Sequence, residues 1–158
     1  METTALAISD YELERGKPMP SLNHGSIQAN LGFELMMRYR QVYRFASEIN
    51  IDVSGRVMVP DIGIFPKMVL DMAHDQVVVQ ETPLTTVEIL SSSQPLKDLT
   101  DKARAYFQAG VKSCWIVLPD QQGIFVYSSP KEYNYFHGKD MLRDPATGIE
   151  LELAPLFE

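Results

Sequence analysis

A single cysteine, Cys114, leaves the chain without any intrachain disulfide. A reducing cytoplasm is the expected setting. Long apolar runs are missing as well. None approaches the roughly 18 residues that a membrane-spanning helix requires, so no membrane association is expected. The stretch Met1–Asp10 lacks the basic start of a secretory signal. Positive charge is also scarce: 14 Lys and Arg stand against 21 Asp and Glu, for a net charge of −7. That balance argues against a protein that coats nucleic acid, and no basic stripe with interleaved aromatics marks a nucleic-acid track. It leaves open a metal site built from carboxylates, which itself makes a chain acidic. Absent too are a P-loop, the glycine pattern of a dinucleotide-binding turn, a Gly-x-Ser-x-Gly elbow and a CxxC pair. There is no internal repeat.

What remains is a composition normal for a globular protein: 158 residues, 45% of them hydrophobic, with nine Gly and ten Pro. One domain over residues 1–158 is expected, with 1–10 as a flexible tail and Tyr11–Pro20 as a short strand or turn. Ser21 and Asn23 offer N-caps for a helix to about Arg40, with Ile27, Leu31 and Leu35 as its apolar stripe. Gly32 inside that helix suggests close packing on a sheet. From Val42 to Val53 the period changes to two. Tyr43, Phe45, Ser47, Ile49, Ile51 and Val53 would face the core, which predicts one strand. Arg56–Phe65 reads as a second strand interrupted by Pro60, and Val77–Val79 as a short one. Leu84–Leu90 follows as a core strand. Ser91–Ser93 and Pro95 then open a helix that ends at Gly110, a C′ glycine. Val111–Leu118 has the continuous apolar character of a strand buried on both faces. Gly123–Tyr127 with Tyr133–His137 reads as a hairpin, and Leu151 with Leu153 as a last strand. The expected fold class is α/β, a mixed central β-sheet flanked by α-helices.

Two acids stand inside strands, where acids are disfavoured: Asp61 after Val57-Met58-Val59-Pro60, and Glu88 within Thr86-Val87-Glu88-Ile89-Leu90. A buried carboxylate must be paired, protonated or bound to metal. Two on adjacent strands repel unless a cation lies between them. Mg²⁺ suits such a pair, since it takes oxygen ligands, keeps several waters and often uses only one or two carboxylates. Glu48, on the polar side of the preceding strand, is a candidate third ligand. The alternative is that each acid pairs with a nearby Lys or Arg. His24 and Gln28 share one helix face and are candidates to border the site. Asp98 and Lys102, at i and i+4, form at minimum a surface ion pair worth ~0.2–0.5 kcal/mol.

Pro60-Asp61 followed by Glu88-Ile89-Leu90-Ser91, 27 positions on (88 − 61), resembles the PD-(D/E)XK signature of restriction-endonuclease-like proteins. The continuation is more specific. Asp98, Lys102 and Tyr106, then Gly110-Val111, then Cys114-Trp115-Ile116-Val117, resemble the Uma-two type of bacterial endonuclease-like protein. Tyr11-Glu12-Leu13, Gly16-Lys17, Asn23-His24, Leu151-Glu152-Leu153 and Leu156-Phe157 are similar to the same family. The resemblance implies a nuclease hydrolysing DNA phosphodiester bonds. In it Asp61, Glu88 and the backbone carbonyl of Ile89 bind Mg²⁺ or Mn²⁺. One departure stands out: residues i and i+2 of a strand share a face, and the superfamily lysine expected two after Glu88 is Leu90. The family resemblance places a helix lysine there instead, and Lys102 matches it. A catalytic set of Asp61, Glu88 and Lys102 is therefore expected, with Glu48, His24, Gln28 and Asp98 as accessories. A homodimer is expected from the need to cut two strands, with Phe125, Tyr127, Tyr133, Tyr135 and Phe136 as its apolar surface. Leu90 and the negative net charge favour a rival, a catalytically inactive binding or regulatory module on the same fold.

Overall fold

Helix α1, Leu22–Tyr39, starts where Ser21 adopts extended backbone and its hydroxyl accepts the His24 backbone N–H at 3.2 Å. Asn23, the other cap considered, lies inside the first turn. The computed structural model describes residues 19–158, so the tail expected at 1–10 and most of the segment at 11–20 fall outside the described residues. Ile27, Leu31 and Leu35 bury the predicted stripe of α1. Gly32 does not serve close packing: a Cβ placed there would meet no atom within 4 Å.

The long strand expected over 42–53 is two strands in two sheets. β1, Tyr43–Ser47, ends at Glu48, whose φ of 54° is left-handed. β2, Asn50–Val53, then belongs to a small sheet with β3, Arg56–Met58, and β5, Val78–Val79, in the order β3-β2-β5. The break also switches the buried face. Tyr43 and Phe45 pack on the α1 side of the main sheet, whereas Ile51 and Val53 pack with the cluster on the other side. Pro60 likewise splits the second predicted strand, into β3 and β4, Ile62–Pro66.

The main sheet is mixed, in the order β1-β4-β6-β7-β8-β9. It includes β6 Thr85–Ile89, β7 Ser113–Leu118, β8 Gly123–Ser129 and β9 Glu132–His137. Only β6 and β7 run parallel, joined by helix α2, Leu96–Gln108. The serines before α2 do not cap it. Pro95 is the N-cap and no side chain bonds there. Its C-terminus closes as expected: Gly110 has φ +104°, its N–H donates to Phe107 O at 3.0 Å, and Val111 N–H to Tyr106 O at 3.1 Å.

α1 and the C-terminal elements cover one face of the sheet with a core that includes Trp115, Val87 and Ile89. α2 covers the other face through Leu99, Ala103 and Tyr106. The last strand is one arm of a pair: β10, Met141–Arg143, and β11, Glu150–Glu152. Of the five hairpin aromatics, Phe125, Tyr127, Tyr135 and Phe136 pack against the protein's own core, and Tyr133 stays 54% exposed.

Candidate metal and phosphodiester site

β4 and β6 pair antiparallel with Ile62 opposite Val87; Asp61 stands one residue before Ile62, and Glu88 one residue after Val87 on β6. Both acids are buried, at 1% and 4% exposure. Asp61 stands just before β4, where Pro60 has ended the previous strand. The Ile89 backbone N–H donates to its Oδ2 at 2.7 Å. That bond holds the carboxylate against the end of β6. α1 adds two contacts from one face, one turn apart: His24 Nε2 lies 3.3 Å from Asp61 Oδ2, and Gln28 Nε2 donates to the Asp61 carbonyl at 3.3 Å.

Glu88 turns to the α2 side. Its Oε1 accepts from the Tyr106 hydroxyl at 2.9 Å and lies 3.3 Å from Lys102 Nζ. Lys102 sits at the margin of the stripe formed by Leu99, Ala103 and Tyr106, so its stem packs while its ammonium reaches inward. It goes to Glu88 and not to Asp98, which makes no ion pair among the described residues. Tyr106 is fully buried. Its hydroxyl is held well above the ordinary tyrosine range by desolvation, then by the charge and hydrogen bond of Glu88, with smaller contributions from Cys114 and Asp61. Burial pushes Cys114, in β7 beneath α2, up to about 12, which makes it an inert core thiol as its strand position implied.

Glu48 is next to Asp61 through the backbone, since its N–H donates to the Asp61 carbonyl at 3.1 Å. It lines a groove of about 450 Å³ with Gly25, Gln28, Gly32 and Ile62. His24 and Leu90 line a second cleft, of about 290 Å³, with Ser91, Gln94 and Asp120 at the C-terminal ends of β6 and β7. Among the described residues no three of His, Cys, Asp and Glu converge as a metal cage. The oxygen donors available are therefore the Asp61 and Glu88 carboxylates and nearby backbone carbonyls, the hard and sparse set that Mg²⁺ or Mn²⁺ accepts.

Over residues 2–155 the sequence matches the Uma2 family, described as "Putative restriction endonuclease". The chain belongs to the Uma2 family. Its fold is similar to that of a crystal structure described as "a putative nuclease belonging to DUF820 from Anabaena variabilis", with a TM-score of 0.76 and 24% identity over 89% of this chain and 83% of that one. No curated protein matches. The fold is thus the restriction-endonuclease-like one that the Pro60-Asp61 and Glu88-Ile89-Leu90 pattern implied. As in the sequence reading of this Uma2 chain, Leu90 occupies the place of the strand lysine.

Sequence reasoning named Tyr106 only within the family resemblance and gave its hydroxyl no role. The signal was present: Tyr106 is one turn after Lys102, and a buried phenol needs a hydrogen-bond partner. It also missed Asp144, which is 1% exposed. Asp144 Oδ2 accepts from Ser113 Oγ at 2.6 Å and Trp115 Nε1 at 2.8 Å, and Oδ1 from the Ala146 N–H at 2.9 Å. That acid is saturated and pins the C-terminal segment to β7. No periodicity in the sequence announces it.

Proposed function

We propose that this Uma2 protein is a divalent-metal-dependent endonuclease that hydrolyses DNA phosphodiester bonds. The observation that carries the reading is a pair of buried carboxylates at one end of the paired strands β4 and β6, one of them 3.3 Å from a lysine of the crossover helix. Asp61, Glu88 and the Ile89 carbonyl would hold Mg²⁺ or Mn²⁺, with Glu48 as a helper. When bound, such an ion lowers the pKa of a coordinated water and neutralises charge on the phosphoryl group. The protein's own residues do the rest. Ile89 N–H and His24 fix the rotamer of Asp61, and Tyr106 fixes that of Glu88. Lys102 supplies positive charge beside the attacked phosphorus, where negative charge develops. A twofold pair of chains would cut both strands most simply, and a strictly monomeric light-scattering result at micromolar concentration would count against it. The single buried thiol is compatible with a reducing cytoplasm.

One observation favours the inactive-module reading. Each acid already has a basic side chain at 3.3 Å, the His24 imidazole for Asp61 and the Lys102 ammonium for Glu88. Metal binding separates the two readings. Mn²⁺ at 100-fold over its Kd should stabilise the folded protein by roughly 2.7 kcal/mol, read as a rise in Tm. Mn²⁺-dependent nicking should vanish in Asp61→Ala and Glu88→Ala variants that still melt cooperatively. A flat Tm, or cleavage equal to the parent in either variant, sinks the nuclease reading.

A further inference from the structure

No basic track is visible in the sequence, yet the fold gathers three cations from separate segments at one corner. Arg40 caps the C-terminus of α1. Arg44 lies on β1 opposite Phe65 of β4, and Lys67 directly follows Pro66 at the end of β4. Among the described residues none of the three forms an ion pair within 4.0 Å, although Arg38, Lys97, Lys102, Arg104 and Arg143 each do. The Arg44 guanidinium is steadied by one bond, Nη2 to the Met68 carbonyl at 2.9 Å, and its buried Nε has no hydrogen-bond partner. Asp71 and Asp75 line the same cleft as Arg44. Both are engaged elsewhere: Asp71 by His74 at 3.1 Å and the Ala73 N–H at 3.0 Å, and Asp75 by the Gln76 N–H at 2.8 Å. The Lys67 ammonium is lowered from its ordinary value first by desolvation and then by the charges of Arg44 and Arg40, so the three act on one another.

Three like charges with no described carboxylate within 4.0 Å of any of them, in a chain of net charge −7, describe a corner that gains from an anion. We propose that Arg40, Arg44 and Lys67 form a docking site for the phosphodiester backbone of duplex DNA, remote from the metal site. The identity of the anion rests on the nuclease reading above. The spacing agrees with it. β4 carries the chain six residues from Asp61 to Lys67 (67 − 61), about 20 Å at ~3.3 Å per residue. Phosphates recur about every 3.4 Å of axis on each strand, so a duplex lying along β4 would meet the corner about six base pairs from the bond that is cut.

The test is fluorescence anisotropy of a labelled 20-base-pair duplex in EDTA, across a salt series, where neither metal nor cleavage enters. Replacing all three cations (Arg40→Ala, Arg44→Ala, Lys67→Ala) should weaken binding by about tenfold or more at low salt. It should also reduce the slope of log K against log salt by about 2–3, near one unit per lost contact. The charge-keeping triple (Arg40→Lys, Arg44→Lys, Lys67→Arg) should keep binding within about threefold. If the alanine triple fails to melt cooperatively, Lys67→Glu alone, on the surface, should give the same direction of change. An unchanged slope, or a parent protein that binds no duplex, overturns the proposal. So does a rise in Tm of the parent with inorganic phosphate alone that matches the rise with DNA, since that marks a free-phosphate site. Mn²⁺-dependent cleavage by the same preparations is read separately, so loss of the nuclease reading does not pass for loss of this one.

Discussion

Lys102 carries the sharpest expectation of any residue. A lysine four positions after Asp98 is, on sequence grounds, equally a surface ion-pair partner. The structure shows its ammonium 3.3 Å from a buried glutamate instead. A residue that stabilises developing charge without ligating metal has a distinctive signature. Lys102→Ala should retain the Mn²⁺-induced rise in Tm and lose at least about tenfold in turnover, because kcat and kcat/KM fall together when only transition-state contacts go. The double variant Leu90→Lys with Lys102→Ala should recover part of that rate, since both positions aim at Glu88. Turnover equal to the parent in Lys102→Ala would leave the lysine as a partner that merely neutralises Glu88. At this scale Asp61, Glu88 and Lys102 stood out in the sequence because each breaks a local pattern or matches a spacing; the structure adds the burial of both acids and the Lys102–Glu88 contact. Tyr106 and Asp144 were not, since an aromatic on an apolar stripe and an acid in a terminal loop look ordinary until a buried partner is seen.

Elements with strong punctuation were legible and those set by tertiary strain were not. Ser21 and Gly110 bound α1 and α2 as read, because a cap and a left-handed glycine act within one turn. The alternation over 42–53 continues unbroken through Glu48, so nothing local reports the left-handed φ that splits it into β1 and β2. Gly32 was read through its usual cause, close packing, and the structure removes that cause. Its lack of a side chain therefore costs the helix about 1 kcal/mol relative to Ala with no packing return. Gly32→Ala should raise stability by about 0.5–1 kcal/mol in urea unfolding with an unchanged m-value. A loss of stability would mean that the groove beside α1 closes in solution around the glycine.

At the scale of the whole molecule, the candidate site draws on residues from both faces of one sheet. α1 contributes His24 and Gln28 from one side, and α2 contributes Lys102 and Tyr106 from the other. The sheet order was only partly readable. The antiparallel neighbours and the parallel β6–β7 pair follow from short turns and one crossover helix, but the departure of β2, β3 and β5 into their own sheet does not.

α1 and the first residue of β1 are tied to the far end of the chain. Asn30 Nδ2 donates to the carbonyls of Leu156 at 3.2 Å and Glu158 at 3.1 Å, the Tyr39 hydroxyl accepts the Glu150 N–H at 2.8 Å, and the Tyr43 hydroxyl donates to the Thr147 carbonyl at 2.6 Å. These contacts span between 104 and 128 positions, whereas neighbouring strands of the sheet mostly follow one another closely. In kinetic terms, closing so long a loop is entropically dear early and is rewarded only once the sheet exists. The clasp between α1 and the last residues is thus expected to form late, after the folding transition state. Asn30→Ala should leave the refolding rate nearly unchanged and speed unfolding by about fivefold, for a loss of about 1 kcal/mol. The surroundings of Asp61 would then inherit their lifetime from a latch more than 100 residues away in sequence: when α1 lifts, His24 and Gln28 leave Asp61 with it.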